Sequence, residues 1–121
     1  MIMYKLEIEY HFDAAHKLLN YKGACANLHG HTYLIKFTLK CEDWELKNDM
    51  VMDFKDVKKI IKRIIDKNFD HKNLNREVKY NPTAENLAKD IYNRVKRKIP
   101  ILYSVEIWEG LGTSIKYYRD E

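Results

Sequence analysis

Cysteine occurs twice, proline twice and glycine four times in 121 residues. Two thiols, Cys25 and Cys41, are too few for the bridged framework of a small secreted domain, and a chain expected in a reducing compartment keeps both free. No low-complexity tract, internal repeat or linker interrupts the sequence, so one domain over residues 1–121 is expected. No apolar run approaches the roughly 18 residues that a membrane span requires. Charge appears within the first seven residues (Met1-Ile2-Met3-Tyr4-Lys5-Leu6-Glu7), unlike a secretory leader. A cytoplasmic protein with no membrane partner is the expectation. Charge of one sign is also modest: 22 basic against 18 acidic residues leave a net +4. The basic residues are scattered, with no basic stripe interleaved with aromatics, so a nucleic-acid partner is not expected. A mildly positive field could still draw in an anionic substrate such as a phosphate ester.

The remaining pattern is that of an α+β domain. Residues 4–12 alternate, with Leu6, Ile8, Tyr10 and Phe12 on one face. Residues 13–28 lose the alternation and read as a long irregular loop. A second strand spans 29–41, with His29, His31, Tyr33, Ile35, Phe37, Leu39 and Cys41 on one face. Helical spacing follows over 54–67 (Val57, Ile60, Ile61, Ile64, Ile65), then a loop-like stretch from Asn68 to Lys79. A second helix is announced by Asn81-Pro82-Thr83, with Pro82 in its first turn and Asn81 or Thr83 as cap; Leu87, Ile91, Val95 and Ile99 form its stripe, and Pro100 ends it. Two closing strands flank Gly110-Leu111-Gly112. The order β-β-α-α-β-β predicts a four-stranded antiparallel sheet with both helices on one face. Trp44, Trp108 and the tyrosines are expected in the core or at subunit contacts.

Three of the five histidines lie close together, at His16, His29 and His31. Residues two apart on a strand share a face, with Cα atoms roughly 6.5 Å apart. His29 and His31 therefore aim at one point, and His16 in the preceding loop can complete a three-nitrogen site. Three protein ligands leave the fourth zinc position open, the catalytic arrangement. Gly30 between them, lacking a Cβ, lets another segment or a ligand come close. Cys25 just before this pair is either a small buried residue or an activated thiol. Asp70-His71 can orient an imidazole for proton transfer or simply decorate a turn. Glu109, after an apolar strand, can accept paired N–H donors from a heterocycle or simply reach solvent.

Taken together and in register, these segments resemble the 6-pyruvoyltetrahydropterin and 6-carboxytetrahydropterin synthase family. The stretches that carry the resemblance are Phe12 to His16, Cys25 to His31, Val51 to Phe54, Asp70 to Asn75, Asn81 to Asn86 and Val105 to Glu109. The resemblance implies the tunnelling fold, with subunits joined into trimers, two trimers stacked as a hexamer, and active sites at subunit interfaces. It implies Zn2+ on His16, His29 and His31, Cys25 as the proton-abstracting group, Asp70 and His71 as a proton relay, Glu109 as the anchor of the pterin ring and a further catalytic member of that relay, and Thr83 at the pterin ring. The implied substrate is 7,8-dihydroneopterin triphosphate. Three residues separate Cys25 from His29-Gly30-His31, the spacing of the carboxy branch, which implies 6-carboxy-5,6,7,8-tetrahydropterin, acetaldehyde and triphosphate as products, in queuosine or archaeosine biosynthesis. The pyruvoyl branch and a non-catalytic pterin-binding module are the alternatives. Gly110 departs from the Thr or Ser that often follows the pterin-anchoring glutamate in this family.

Overall fold

The computed structural model describes residues 1–120. Alternation makes the two long strands. β1 (Met3–His16) and β2 (His29–Glu42) pair antiparallel along their full length, from Met3 opposite Glu42 to His16 opposite His29. The apolar face of β2 is wholly covered: Tyr33, Ile35, Phe37 and Leu39 expose nothing. Burying each such side chain stabilises the fold by about 1.5–3 kcal/mol.

α1 (Phe54–Asn68) starts at Asp53, whose carboxylate accepts the Lys55 N–H at 2.8 Å. It buries Val57, Ile61 and Ile65, the inner edge of the expected stripe. β3 (Lys72–Asn73) and the single-turn α2 (Leu74–Glu77) follow, then α3 (Ala84–Lys96), β4 (Leu102–Trp108) and β5 (Ser114–Tyr118). The sheet order is β3-β1-β2-β4-β5. β1, β2, β4 and β5 are antiparallel, whereas β3 runs parallel to β1. The helices α1 and α3 join the inner sheet face in one hydrophobic cluster. No helix among the described residues is long and apolar enough to cross a membrane.

Five expectations need correction. The sheet has five strands and is mixed, because Lys72 and Asn73 add to the edge of β1; a two-residue strand is too short to leave an alternating signature. The same stretch holds α2, so it is not plain loop. β1 runs on to His16, so this histidine stands on a strand and not in a loop. Asp13-Ala14-Ala15 carry too little hydrophobic contrast to reveal the alternation, although Ala14 and His16 are both buried. Pro82 precedes the cap of α3 instead of sitting in its first turn: Thr83 caps, its hydroxyl accepting the Asn86 N–H at 3.2 Å. α3 ends before Pro100, although Ile99 stays in the core. Of the two places expected for Trp44, it is not in the core of the protomer, being 77% exposed.

Candidate metal centre

The β1–β2 register explains the imidazole cluster. His16 and His29 are direct cross-strand partners, and His31 lies two residues along the same face of β2. The three ring centroids are 4.7, 4.8 and 5.0 Å apart. Each ring offers a nitrogen within 4.8 Å of the other two.

Backbone carbonyls orient two of the rings. His16 Nδ1–H donates to Pro82 O at 2.7 Å, and His29 Nδ1–H donates to Asn27 O at 2.7 Å. A proton held on Nδ1 leaves Nε2 as a free lone pair, the arrangement usual for a metal-bound histidine. Tyr33 stacks on Phe12 (centroids 4.7 Å) and brings its hydroxyl within 3.2 Å of His16 Nδ1. Among the described residues, His16 Nε2 and His31 Nε2 are the buried side-chain nitrogens without a hydrogen-bond partner. An orphaned buried acceptor costs about 1–3 kcal/mol. A cation between the rings removes that cost, and three neutral imidazoles suit Zn2+. Burial holds His31 below the usual histidine range, against the pull of the Glu109 carboxylate, which favours the neutral, ligand-ready form. The site therefore fits a metal ion on its own chemistry.

Glu109 lies just past β4, with Oε2 3.6 Å from His31 Nε2, too long for a hydrogen bond but close enough for electrostatic contact. It shares a cavity of about 420 Å³ with Thr83, Leu18 and Thr113, so the structure brings Glu109 and Thr83 together beside the imidazoles. Cys25 is a half-buried free thiol in a short 3-10 turn (Ala24–Ala26) between the two histidine-bearing strands. Gly23 opens that turn with φ 139°, a conformation that side chains resist. The Cys25 sulfur is not part of the imidazole cluster.

Asp70 and His71 are held elsewhere in the protomer. Asp70 Oδ2 is 2.9 Å from His71 Nδ1, and Asp70 Oδ1 accepts the Asp13 N–H at 3.0 Å. His71 N–H donates back to Asp13 O at 2.6 Å. The Asp13 carboxylate belongs to the same group and takes the Thr32 hydroxyl at 2.5 Å. Asp13 and Thr32 alternate away from the face that carries the imidazoles. His71 has a left-handed backbone (φ 59°) and a side chain 77% exposed. The pair thus faces outward and not onto the imidazoles of its own chain. Gly30 lines the cavity beside His71; a Cβ there would meet only Ala14 O at 3.7 Å, an ordinary contact, so nothing within the protomer demands glycine.

Sequence reasoning passed over four participants. The Pro82 carbonyl orients His16, Tyr33 lies beneath the rings, and Asn75 and Asn81 grip the chain after His16. The last two lie in motifs singled out above, but nothing local reveals partners about 60 residues away.

Fold and site together define an α+β protein with a three-imidazole constellation, of a kind that can accept a metal ion, at one end of its sheet. The chain belongs to the 6-pyruvoyl tetrahydropterin synthase family, whose model matches residues 5–120. It is 33% identical to the 6-carboxy-5,6,7,8-tetrahydropterin synthase of Haemophilus influenzae, over 95% of this chain and 99% of that one. It is 36% identical to the dihydroneopterin monophosphate aldolase of Pyrococcus furiosus, over 82% and 83% of the two chains. The 6-pyruvoyl tetrahydropterin synthase structure from Caenorhabditis elegans superposes with a TM-score of 0.87 at 29% identity, over 99% and 98% of the chains. The family is one of tetrahydropterin synthases, enzymes that act on pterin substrates.

Proposed function

We propose that the protein is a zinc-dependent 6-carboxy-5,6,7,8-tetrahydropterin synthase, converting 7,8-dihydroneopterin triphosphate and one water molecule to 6-carboxy-5,6,7,8-tetrahydropterin, acetaldehyde and triphosphate. The observation that carries this reading is the set of three converging imidazoles, two with buried and unpartnered Nε2, beside the cavity of Glu109 and Thr83. His16, His29 and His31 would hold the ion. Bound there, zinc supplies Lewis acidity toward hydroxyl oxygens of the substrate side chain.

The protein's own groups do the rest. Glu109 accepts ring N–H donors of the pterin and Thr83 contacts the ring, which directs the side chain toward the imidazoles. Cys25 takes a proton from side-chain carbon as the thiolate. Asp70 orients His71, and the pair returns protons during the redistribution that expels triphosphate. The redox change is internal, so no nicotinamide is needed. The outward-facing His71 fits an assembly in which a neighbouring copy contributes Asp70 and His71 to each site, in a homotrimer or homohexamer. A mildly positive surface suits the triphosphate.

The spacing of Cys25 before His29 favours the carboxy product. The aldolase name of one relative raises a second reading; the family resemblance implies that such a branch replaces or supplements the cysteine with a nearby glutamate, and the absence of any Glu between His16 and His29 weighs against it. Incubation with dihydroneopterin triphosphate, followed by mass spectrometry, separates the readings. The carboxy reading expects 6-carboxytetrahydropterin, acetaldehyde and triphosphate in equal amounts. A pyruvoyl product without acetaldehyde moves the protein to the pyruvoyl branch. An aldol cleavage would leave phosphate on the departing two-carbon piece. No turnover with zinc present leaves a pterin-binding module. The product would enter 7-deazapurine (queuosine or archaeosine) biosynthesis in the cytoplasm.

A further inference from the structure

Residues 17–19, which follow β1, belong to no strand, yet main-chain groups of each are paired. Lys17 N–H donates to Asn75 Oδ1 at 2.8 Å, and Asn75 Nδ2 returns a bond to Lys17 O at 3.0 Å. Two residues on, Leu19 N–H donates to Asn81 Oδ1 at 2.9 Å and Asn81 Nδ2 reaches Leu19 O at 3.4 Å. A side-chain amide carries the donor and acceptor of a peptide unit, so the two asparagines act as a substitute strand for residues 17 and 19. Between them, Leu18 N–H points the other way and donates to Cys25 O at 2.8 Å.

Both asparagines are themselves anchored. Asn75 N–H donates to Asn73 Oδ1 at 3.1 Å at the start of α2, and Asn81 O accepts both Thr83 N–H (2.8 Å) and Asn86 Nδ2 (2.9 Å) at the start of α3. A continuous series of bonds therefore runs from two helix starts, through residues 17–19, to the carbonyl of Cys25.

We propose that Asn75 and Asn81 are positioning residues for Cys25: their amides clamp residues 17–19 so that Leu18 holds the Cys25 turn in its working place. The catalytic sense of this rests on the reading of Cys25 as the proton-transferring group. Neither amide touches the imidazoles, so the clamp sets the thiol and not the metal.

The test uses the zinc-loaded enzyme with Asn75→Ala and Asn81→Ala, singly and combined. Asn75→Asp and Asn81→Asp keep side-chain volume and the acceptor for N–H while losing the donor, and serve if the double variant does not fold. Backbone amide exchange at Leu18 should quicken about tenfold in the double variant. Its kcat should fall on the order of tenfold to a hundredfold, with KM and zinc content unchanged, and the Asp variants should lie between. In a Cys25→Ala background the double substitution should cost no further turnover. Unchanged Leu18 exchange overturns the proposal, as does loss of zinc alongside turnover, which would place the clamp's action on His16. A further fall in the Cys25→Ala background also overturns it. Full turnover of Cys25→Ala alone overturns the reading of Cys25, while Leu18 exchange still reports separately on the clamp.

Discussion

The three imidazoles and the Asp70–His71 pair are built by opposite means. The imidazoles stand on two long paired strands, and the cross-strand register alone brings them together. His16 is 1% exposed and held by a helix-start carbonyl. Asp70 and His71 sit in a turn after α1, His71 with a left-handed backbone and an open imidazole, and are tied to β1 through Asp13. The first cluster is complete within one chain and inward; the second is preorganised but faces away. On the proposed roles, the ion's ligands converge within one protomer, whereas Asp70 and His71 would serve a neighbouring copy.

The sharpest break between the two comes from a ligand. His29→Ala should lower zinc affinity well beyond the roughly 10- to 100-fold that loss of an outer partner costs. Asp70→Asn should leave that affinity unchanged, as competition with a chromophoric chelator would measure. Equal losses in both variants would end the distinction. Turnover should divide the other way: Asp70→Asn and Cys25→Ala should each lower kcat by about 10²- to 10⁴-fold with zinc content intact, by steady-state assay and metal analysis. Tyr33→Phe probes the support beneath the rings. Its hydroxyl is the longer of two contacts to His16 Nδ1, so zinc affinity should weaken by less than about tenfold.

The smallest effect concerns the support of the Asp70–His71 pair. Asp66, four residues before Asp70, bonds Lys62 Nζ at 2.9 Å and accepts the Tyr10 hydroxyl at 2.7 Å, tying α1 to β1. The Lys62 ammonium, with help from Tyr10, holds its carboxyl below the usual value of 3.8. Its folded value being the lower one, its contribution is present above the unfolded value and is lost as pH falls through the folded one. Asp66→Asn should therefore be less stable than wild type by up to about 1 kcal/mol near neutral pH, and the gap should close as pH falls below the usual aspartate value in denaturant titrations.

Much of this was legible along the chain. Alternation over 29–41 placed both β2 histidines on the buried face, and the helical spacing of Val57, Ile61 and Ile65 placed α1. Cys41 reads as core from its strand face, and burial pushes its thiol up. Other parts were hidden for physical reasons. Ala14 and Ala15 carry no contrast, so the strand under His16 did not show. β3 depends on Asp13 and Asp70 meeting across the fold. The asparagine clamp depends on side chains imitating backbone, which no local pattern records. Trp44 is exposed because its 3-10 turn (Asp43–Glu45) stands clear of the sheet; there Trp44 Nε1–H donates to Glu42 Oε2 at 2.8 Å.

The account turns on what His16, His29 and His31 hold. Zinc-edge X-ray absorption on the reconstituted protein tests this most directly. The prediction is one zinc per chain with imidazole scattering and nitrogen or oxygen neighbours at about 2.0–2.1 Å, lost in His29→Ala. A sulfur neighbour at about 2.3 Å, which would make Cys25 a ligand, or a protein that takes up no zinc, would contradict it.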